Sequence, residues 1–171
     1  MLRIAVISDT HWELWDPEDP FAESLMEALV GKGYHAIWHG GDVVHETVLV
    51  ALESVAPVVC VKGNCDSFFA RQLPHAVHRQ LEGVSVGMIH GWDLALDHAP
   101  SLIERFPAGT EVIIHGHTHR RRYQQEMVPW GACTIINPGS VTSPRGGDEP
   151  GFGELVVNGP VWSYRRHSLT L

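Results

Sequence analysis

Basic residues, cysteines and long apolar runs are all scarce in this chain. Lysine and arginine together number 12 against 20 aspartates and glutamates, and the formal net charge is -8. That balance excludes a general nucleic-acid coat, which needs a broad basic surface. A nucleotide substrate stays open, because bound metal ions supply positive charge locally. The three cysteines, Cys60, Cys65 and Cys133, are odd in number and form no Cys-x-x-Cys pair, so a disulfide framework is not expected. Cys60 and Cys133 stand in apolar segments and read as small buried residues. No stretch reaches the ~18 apolar residues of a membrane span. The apolar start, Met1 to Ile7, is too short for a secretory leader and runs at once into Asp9 and His11. The expectation is a soluble protein of a reducing cytoplasm, without repeats, low-complexity tracts or interdomain linkers.

What is present is enough for one core. The 171 residues are 44% hydrophobic, and the length suits a single domain over 1–171. Short β-branched runs at Leu2–Ile7, His35–His39 and Pro57–Val61 read as strands, with amphipathic helices at Phe21–Val30 and Glu46–Val55 between them. This rhythm predicts parallel strands joined by crossover helices. The second half is richer in strands. Ala76–Leu81 and Val84–Ile89 flank the turn pair Glu82-Gly83, and a short helix over Pro100–Phe106 precedes a strand at Glu111–Ile114. Two further hairpins are expected, Arg121–Val128 with Ala132–Ile136, and Gly153–Val157 with Val161–Arg166 around Asn158-Gly159. Ser143–Gly151 reads as an exposed turn-rich loop.

The chemistry lies in six short segments, most of them just after an expected strand. They are Ser8-Asp9-Thr10-His11, Gly40-Gly41-Asp42, Gly63-Asn64-Cys65-Asp66, His90-Gly91, Gly116-His117-Thr118-His119 and Asn137-Pro138-Gly139-Ser140. In α/β sheets ligands bind beyond the carboxyl ends of the strands, so these segments should gather at one edge of the fold. With Asp66 set aside as structural or orienting, the first five supply two carboxylates, one carboxamide and four imidazoles. That is a ligand set for two adjacent divalent metals, a standard device for breaking phosphate esters. Oxygen and nitrogen donors without thiolate suit Mn²⁺, Fe²⁺ or Zn²⁺.

In this order the motifs resemble those of the calcineurin-like metallophosphoesterases, and more narrowly the small prokaryotic phosphodiesterase branch. The likeness spans nearly the whole chain. It implies an α/β fold, a two-sheet β-sandwich flanked by helices in four layers, with the metals at one end. It implies one metal on Asp9, His11, Asp42 and His119, and another on Asp42, Asn64, His90 and His117, with Mn²⁺ favoured. The implied mechanism is in-line attack on phosphorus by a hydroxide bridging the two metals, with Asp42, Asn64, Cys65 and His117 as the catalytic positions. The expected substrate is a phosphate ester, more specifically a diester. A nucleotide phosphatase or pyrophosphatase is the enzymatic alternative, and a metal-retaining protein-interaction scaffold the alternative of another class. Small members often associate, so a homo-oligomer is a further expectation.

The chain departs from the family pattern in two ways. Many members carry His directly after the Asn of the third motif, as an acid for the leaving group; here that residue is Cys65. A free thiol, with a pKa near ~8.5, is a poor acid for that task. Trp12 and Trp92 stand where smaller or imidazole residues are common, and each is a candidate stacking surface for a nucleobase. Arg145, in the glycine-rich loop, is a candidate substrate contact. Blander roles suit the remaining polar residues. His115 should point away from the metals. His39 and Asp66 are structural or orient ligands. Asn137–Ser140 is either a turn that lies near the site and supports it or a purely structural one, and at least two of Arg120, Arg121 and Arg122 belong to a solvated strand start.

Overall fold

The computed structural model describes residues 1–66 and 72–170. Along the chain run β1 (Leu2–Ile7), α1 (Pro20–Leu29), β2 (Ala36–His39), α2 (Glu46–Glu53) and β3 (Val58–Cys60). The second half adds β4 (Ala76–Leu81), β5 (Val84–Ile89), α3 (Ala99–Ile103), β6 (Val112–His115), β7 (Arg122–Val128), β8 (Gly131–Asn137), β9 (Gly151–Asn158) and β10 (Val161–Ser168). Two five-stranded sheets result, in the orders β10-β9-β1-β2-β3 and β4-β5-β6-β8-β7.

Alternation of side chains across the strands sorts the core into layers. On β1, Ile4 and Val6 face the second sheet, while Ala5 and Ile7 face the helices. The inter-sheet layer joins Ile4, Val6 and Trp38 to Val86, Met88 and Ile114. Leu25 and Leu29 of α1 and Leu49 and Leu52 of α2 cover the outside of the first sheet. Leu102 of α3 with Phe106 covers Ile113 and Ile135 on the outside of the second. The order helix, sheet, sheet, helix is the four-layer sandwich expected from the motifs.

Local signals account for the helix ends. The Asp19 carboxylate accepts from Phe21 N at 2.9 Å and Ala22 N at 3.1 Å, and Pro20 opens the first turn. The helix therefore starts one residue before the expected Phe21. α3 is shorter than the expected Pro100–Phe106, with Glu104 as its C-cap. The expected hairpins form, but β9 also pairs antiparallel with β1, Leu2 opposite Val157. The C-terminal hairpin thus completes the first sheet. Among the described residues no helix is long and apolar enough to cross a membrane.

β1, β2 and β3 are mutually parallel, as are β5, β6 and β8. Their carboxyl ends deliver Asp9, Asp42, Gly63, His90, His117 and Asn137 to one edge. The outer face depends on a close approach: a Cβ on Gly87, in β5, would lie 2.5 Å from the Phe106 ring. Gly87→Val should therefore cost about 1–3 kcal/mol through overpacking, read as a lower urea midpoint at unchanged m-value. A loss under about 0.5 kcal/mol, within the range of ordinary surface changes, would mean that Phe106 is free to move aside.

Candidate metal centre

The loops at this edge bend in ways that side chains resist. Among the described residues seven non-glycine positions have φ in the left-handed region, and five of them are Asp9, His11, Asp42, His117 and His119. Each costs of order 1–3 kcal/mol and persists only where its surroundings hold it. Cross-loop bonds do so here. Asp9 N donates to Gly41 O at 3.0 Å, His11 N to Asp42 O at 3.1 Å, and His117 N to the Asp9 carboxylate at 3.1 and 3.2 Å. Gly63 is required by proximity, because a Cβ there would strike Asp42 Oδ1.

Two groups of ligand atoms converge. Asp9, His11, Asp42 and His119 form one; Asp42, His90 and His117 form the other, each with its donor atoms within 4.8 Å of one another. Asp42 belongs to both. Its Oδ2 lies 3.5 Å from His11 Nε2 and 3.3 Å from His90 Nε2, while Oδ1 accepts from Cys65 N at 2.9 Å. His11 Nε2 and His119 Nε2 approach to 3.1 Å, and His119 Nε2 is 3.4 Å from Asp9 Oδ1. His90 Nε2 is buried and has no hydrogen-bond partner in the described structure. An orphan imidazole nitrogen beside two buried carboxylates is a setting that a divalent cation satisfies, so the residues present fit the pair of metals.

The imidazoles are oriented from behind. His90 Nδ1 donates to Gly40 O at 2.7 Å, and His119 Nδ1 donates to Ser143 O at 2.8 Å. Each bond fixes the tautomer that turns a bare Nε2 toward the carboxylates. The Asp66 carboxylate accepts three backbone N–H groups: Asp42 N at 2.9 Å and Gly63 N at 2.7 Å on Oδ2, and Val44 N at 2.8 Å on Oδ1. It ties the second loop to the third. Buried His39 ties the first to the second, with Nε2 donating to Thr10 Oγ1 at 3.1 Å and Nδ1 accepting from Gly41 N at 3.2 Å. Ser140 Oγ donates to Asp9 O at 2.6 Å, and Asn137 Nδ2 donates to Gly116 O and Thr118 Oγ1, both at 3.0 Å.

Burial sets the charges. Desolvation pushes Asp9 up to about 7, with only partial relief from His90 and the Ser8 hydroxyl. Burial acts the same way on Asp42, but the His90 imidazole 3.3 Å from its Oδ2 and the Cys65 N–H outweigh it and hold this carboxyl well below its usual range. Burial also keeps His11, His117 and His119 below the ordinary imidazole range, so their lone pairs stay free at neutral pH. Partial burial, then the charges of Asp42 and Asp66, push the Cys65 thiol up to about 11.

The other anticipated residues fall unevenly. Asn64 is exposed on the turn beside Asp42, with its Nδ2 3.4 Å from Cys65 Sγ. Trp12 is corrected: at 8% exposure it packs in the core beneath α1 and α2, edge-on to Trp15, and has no face free for a base. Its backbone bridges to Val44, which turns the indole inward. Trp92 is half-buried with its ring 6.0 Å from that of His90. Arg145 is exposed on the loop that donates its N–H to His119 O at 3.0 Å. Arg121 reaches His167 O and Ser168 Oγ, and Arg122 reaches Leu96 O and Gln124, leaving Arg120 the exposed member of the three. His115 turns to the α3 side of its sheet, and burial pushes it down to about 3. The orienting carbonyls of Gly40 and Ser143 escape a reading of the sequence, because a main-chain oxygen leaves no trace in residue type.

Comparison with known proteins agrees with this geometry. The calcineurin-like phosphoesterase superfamily domain matches residues 2–158. A protein of Methanothermobacter thermautotrophicus described as a probable metallophosphoesterase is 34% identical over 147 residues, covering 84% of this chain and 80% of that one. The phosphodiesterase YfcE of Escherichia coli K12 is 29% identical over 175 residues, covering 91% and 88%. The solved structure of YfcE superposes with a TM-score of 0.69 over 91% of this chain and 88% of that one at 25% identity. Vacuolar Protein Sorting 29 of Cryptosporidium parvum superposes with a TM-score of 0.76 over 97% and 96% at 18% identity, a likeness of fold. The chain belongs to the calcineurin-like phosphoesterase superfamily.

Proposed function

We propose that the protein is a phosphodiesterase that holds two divalent metal ions, Mn²⁺ foremost and Fe²⁺ or Zn²⁺ as alternatives, and hydrolyses a phosphate ester. The observation that carries this reading is the pair of convergent ligand groups sharing Asp42. Asp9, His11, Asp42 and His119 would hold one ion; Asp42, Asn64, His90 and His117 would hold the other. Bound there, the pair supplies Lewis acidity and an activated water for in-line displacement at phosphorus. The protein's own work is to aim the four imidazoles, to keep those of His11, His117 and His119 neutral, and to keep Asp42 ionised between them. In this reading Arg145 meets a substrate oxygen, and Trp92, beside His90, takes the stacking role for a nucleotide group.

The diester preference draws on the relative named a phosphodiesterase and on Cys65. With its thiol pushed up to about 11, Cys65 transfers little proton to a leaving alcohol at neutral pH. A scaffold that keeps its metal sites is the reading from another class, favoured by the fold shared with Vacuolar Protein Sorting 29. At 18% identity that likeness carries fold and no more, whereas every motif position for metal is filled here.

Three measurements test these roles. Chelator-stripped protein should hydrolyse bis-p-nitrophenyl phosphate only after Mn²⁺ is added, and Asp42→Asn should lower the rate by at least about 100-fold, as expected for a shared ligand of a two-metal site. Equal rates in the variant would sink the two-metal reading. Across aryl and alkyl diesters, the rate should fall steeply as the leaving-group pKa rises; a flat dependence would mean that some group protonates the leaving oxygen efficiently. Asp66→Ala should weaken Mn²⁺ binding about 10–100-fold, as losses behind a ligand shell do, read by calorimetry on the folded variant. Unchanged affinity would assign Asp66 to stability alone.

A further inference from the structure

A cavity of about 490 Å³ opens beside the candidate metal centre, on the outer face of the second sheet. His117 forms its border with the centre; Leu96, His115, Arg120, Arg121, Arg122 and Arg145 are among the residues that line the remainder. In a chain with a formal net charge of -8, four arginines on one cavity is a local reversal of sign. Asp97 also lines the wall, a single carboxylate against the four. Among the described residues none of their guanidiniums is within 4 Å of a carboxylate. Arg122 is anchored, with Nη1 donating to Leu96 O at 2.7 Å and Nε and Nη2 donating to Gln124 Oε1 at 2.9 and 2.6 Å. Two of its five N–H groups remain free for a ligand. Arg120 lies against Gly146 of the turn-rich loop, where a Cβ would come within 3.1 Å of its Nε.

One residue of the cavity wall, His115, carries a buried polar atom without a partner. His115 is 1% exposed, and its Nε2 makes no hydrogen bond. The tautomer follows from its neighbours. Asn137 Nδ2 spends its two hydrogens on Gly116 O and Thr118 Oγ1, so the 2.9 Å contact between His115 Nδ1 and Gly116 O is donated by the imidazole. Nε2 is therefore a bare acceptor. Buried acceptors rarely go unmet, and the match here is a hydroxyl or amino group on a ligand.

We infer that this cavity is a subsite for a second phosphate, carried by a hydroxyl- or amino-bearing part of the substrate. Guanidinium forks match phosphate oxygens in geometry as well as charge. The inference rests on the phosphodiesterase reading for its first phosphate, and narrows the substrate class to phosphodiesters that bear a further phosphate; a nucleoside bisphosphate serves as a binding probe for the two phosphate positions.

The test is calorimetric titration of the Mn²⁺-loaded protein at about 0.1 M salt, where surface charges are screened within ~10 Å. Adenosine 3′,5′-bisphosphate is compared with adenosine 5′-monophosphate, and each solution is assayed for released phosphate. The bisphosphate should bind at least about tenfold more tightly, the worth of a charge-assisted hydrogen bond. Arg120→Gln, at an exposed position, should cut that difference to about twofold or less while monophosphate affinity and turnover of bis-p-nitrophenyl phosphate stay unchanged. Equal affinities in the parent protein, or a difference that survives Arg120→Gln at full size, would overturn the subsite. A tenfold difference that Arg120→Gln removes, in a protein without turnover, would uphold the subsite and count against the phosphodiesterase reading alone.

Discussion

Asp42 is the residue on which the rest of the site depends. Its carboxylate is 2% exposed and belongs to both ligand groups, so its position sets the separation of anything bound there. A buried carboxylate is expensive without partners. This one has the Cys65 N–H on one oxygen and His11 and His90 facing the other. Its left-handed backbone is held in turn by Asp66, which accepts Asp42 N and Gly63 N on a single oxygen. Removing any of these supports leaves charge or strain with no compensation, which explains why the loops are laced together so densely.

That lacing needs a rigid base, and the sandwich provides it. The inter-sheet layer of Ile4, Val6, Met88 and Ile114 fixes the register of the two sheets against each other. A slip of one residue would turn each strand's apolar set to the wrong face. It would also misplace Asp9 relative to His117, whose N–H must reach the Asp9 carboxylate at 3.1 Å. Core packing and ligand geometry are therefore one constraint, expressed at the two ends of the same strands. The five left-handed ligand residues are where the loops bear the cost of that arrangement.

Much of this is legible in the order of residues along the chain. The motifs carry the family, the Asp and His residues that converge at one edge, and the four layers, because metal chemistry admits few residue types and strand periodicity is local. The joining of β9 to β1 is not legible, since a partner 151 positions away in Arg3 and Glu154 has no local signature. Trp12 misleads for a related reason. Its neighbour His11 faces the centre, but the bridge to Val44 rotates the indole into the core. Asp66 reads from its motif only as structural or orienting. The motif places a carboxylate at the right turn, but does not show that three N–H groups converge on it.

Cys65 joins the electrostatics to the chemistry. Its backbone N–H helps keep Asp42 ionised, while the charges of Asp42 and Asp66 help push its thiol up to about 11. The same carboxylates that make the site attractive to cations thus weaken the nearest candidate acid. An imidazole at this position would gain a proton in that field rather than lose one, because nearby anions favour its charged form. A thiol responds in the opposite sense, since its charged form is the anion. Replacing imidazole by thiol therefore changes more than the intrinsic acidity of one group. It turns a field that would support proton donation at neutral pH into one that locks the proton on sulfur, and under the proposed function this would restrict efficient turnover to esters whose leaving group departs without help.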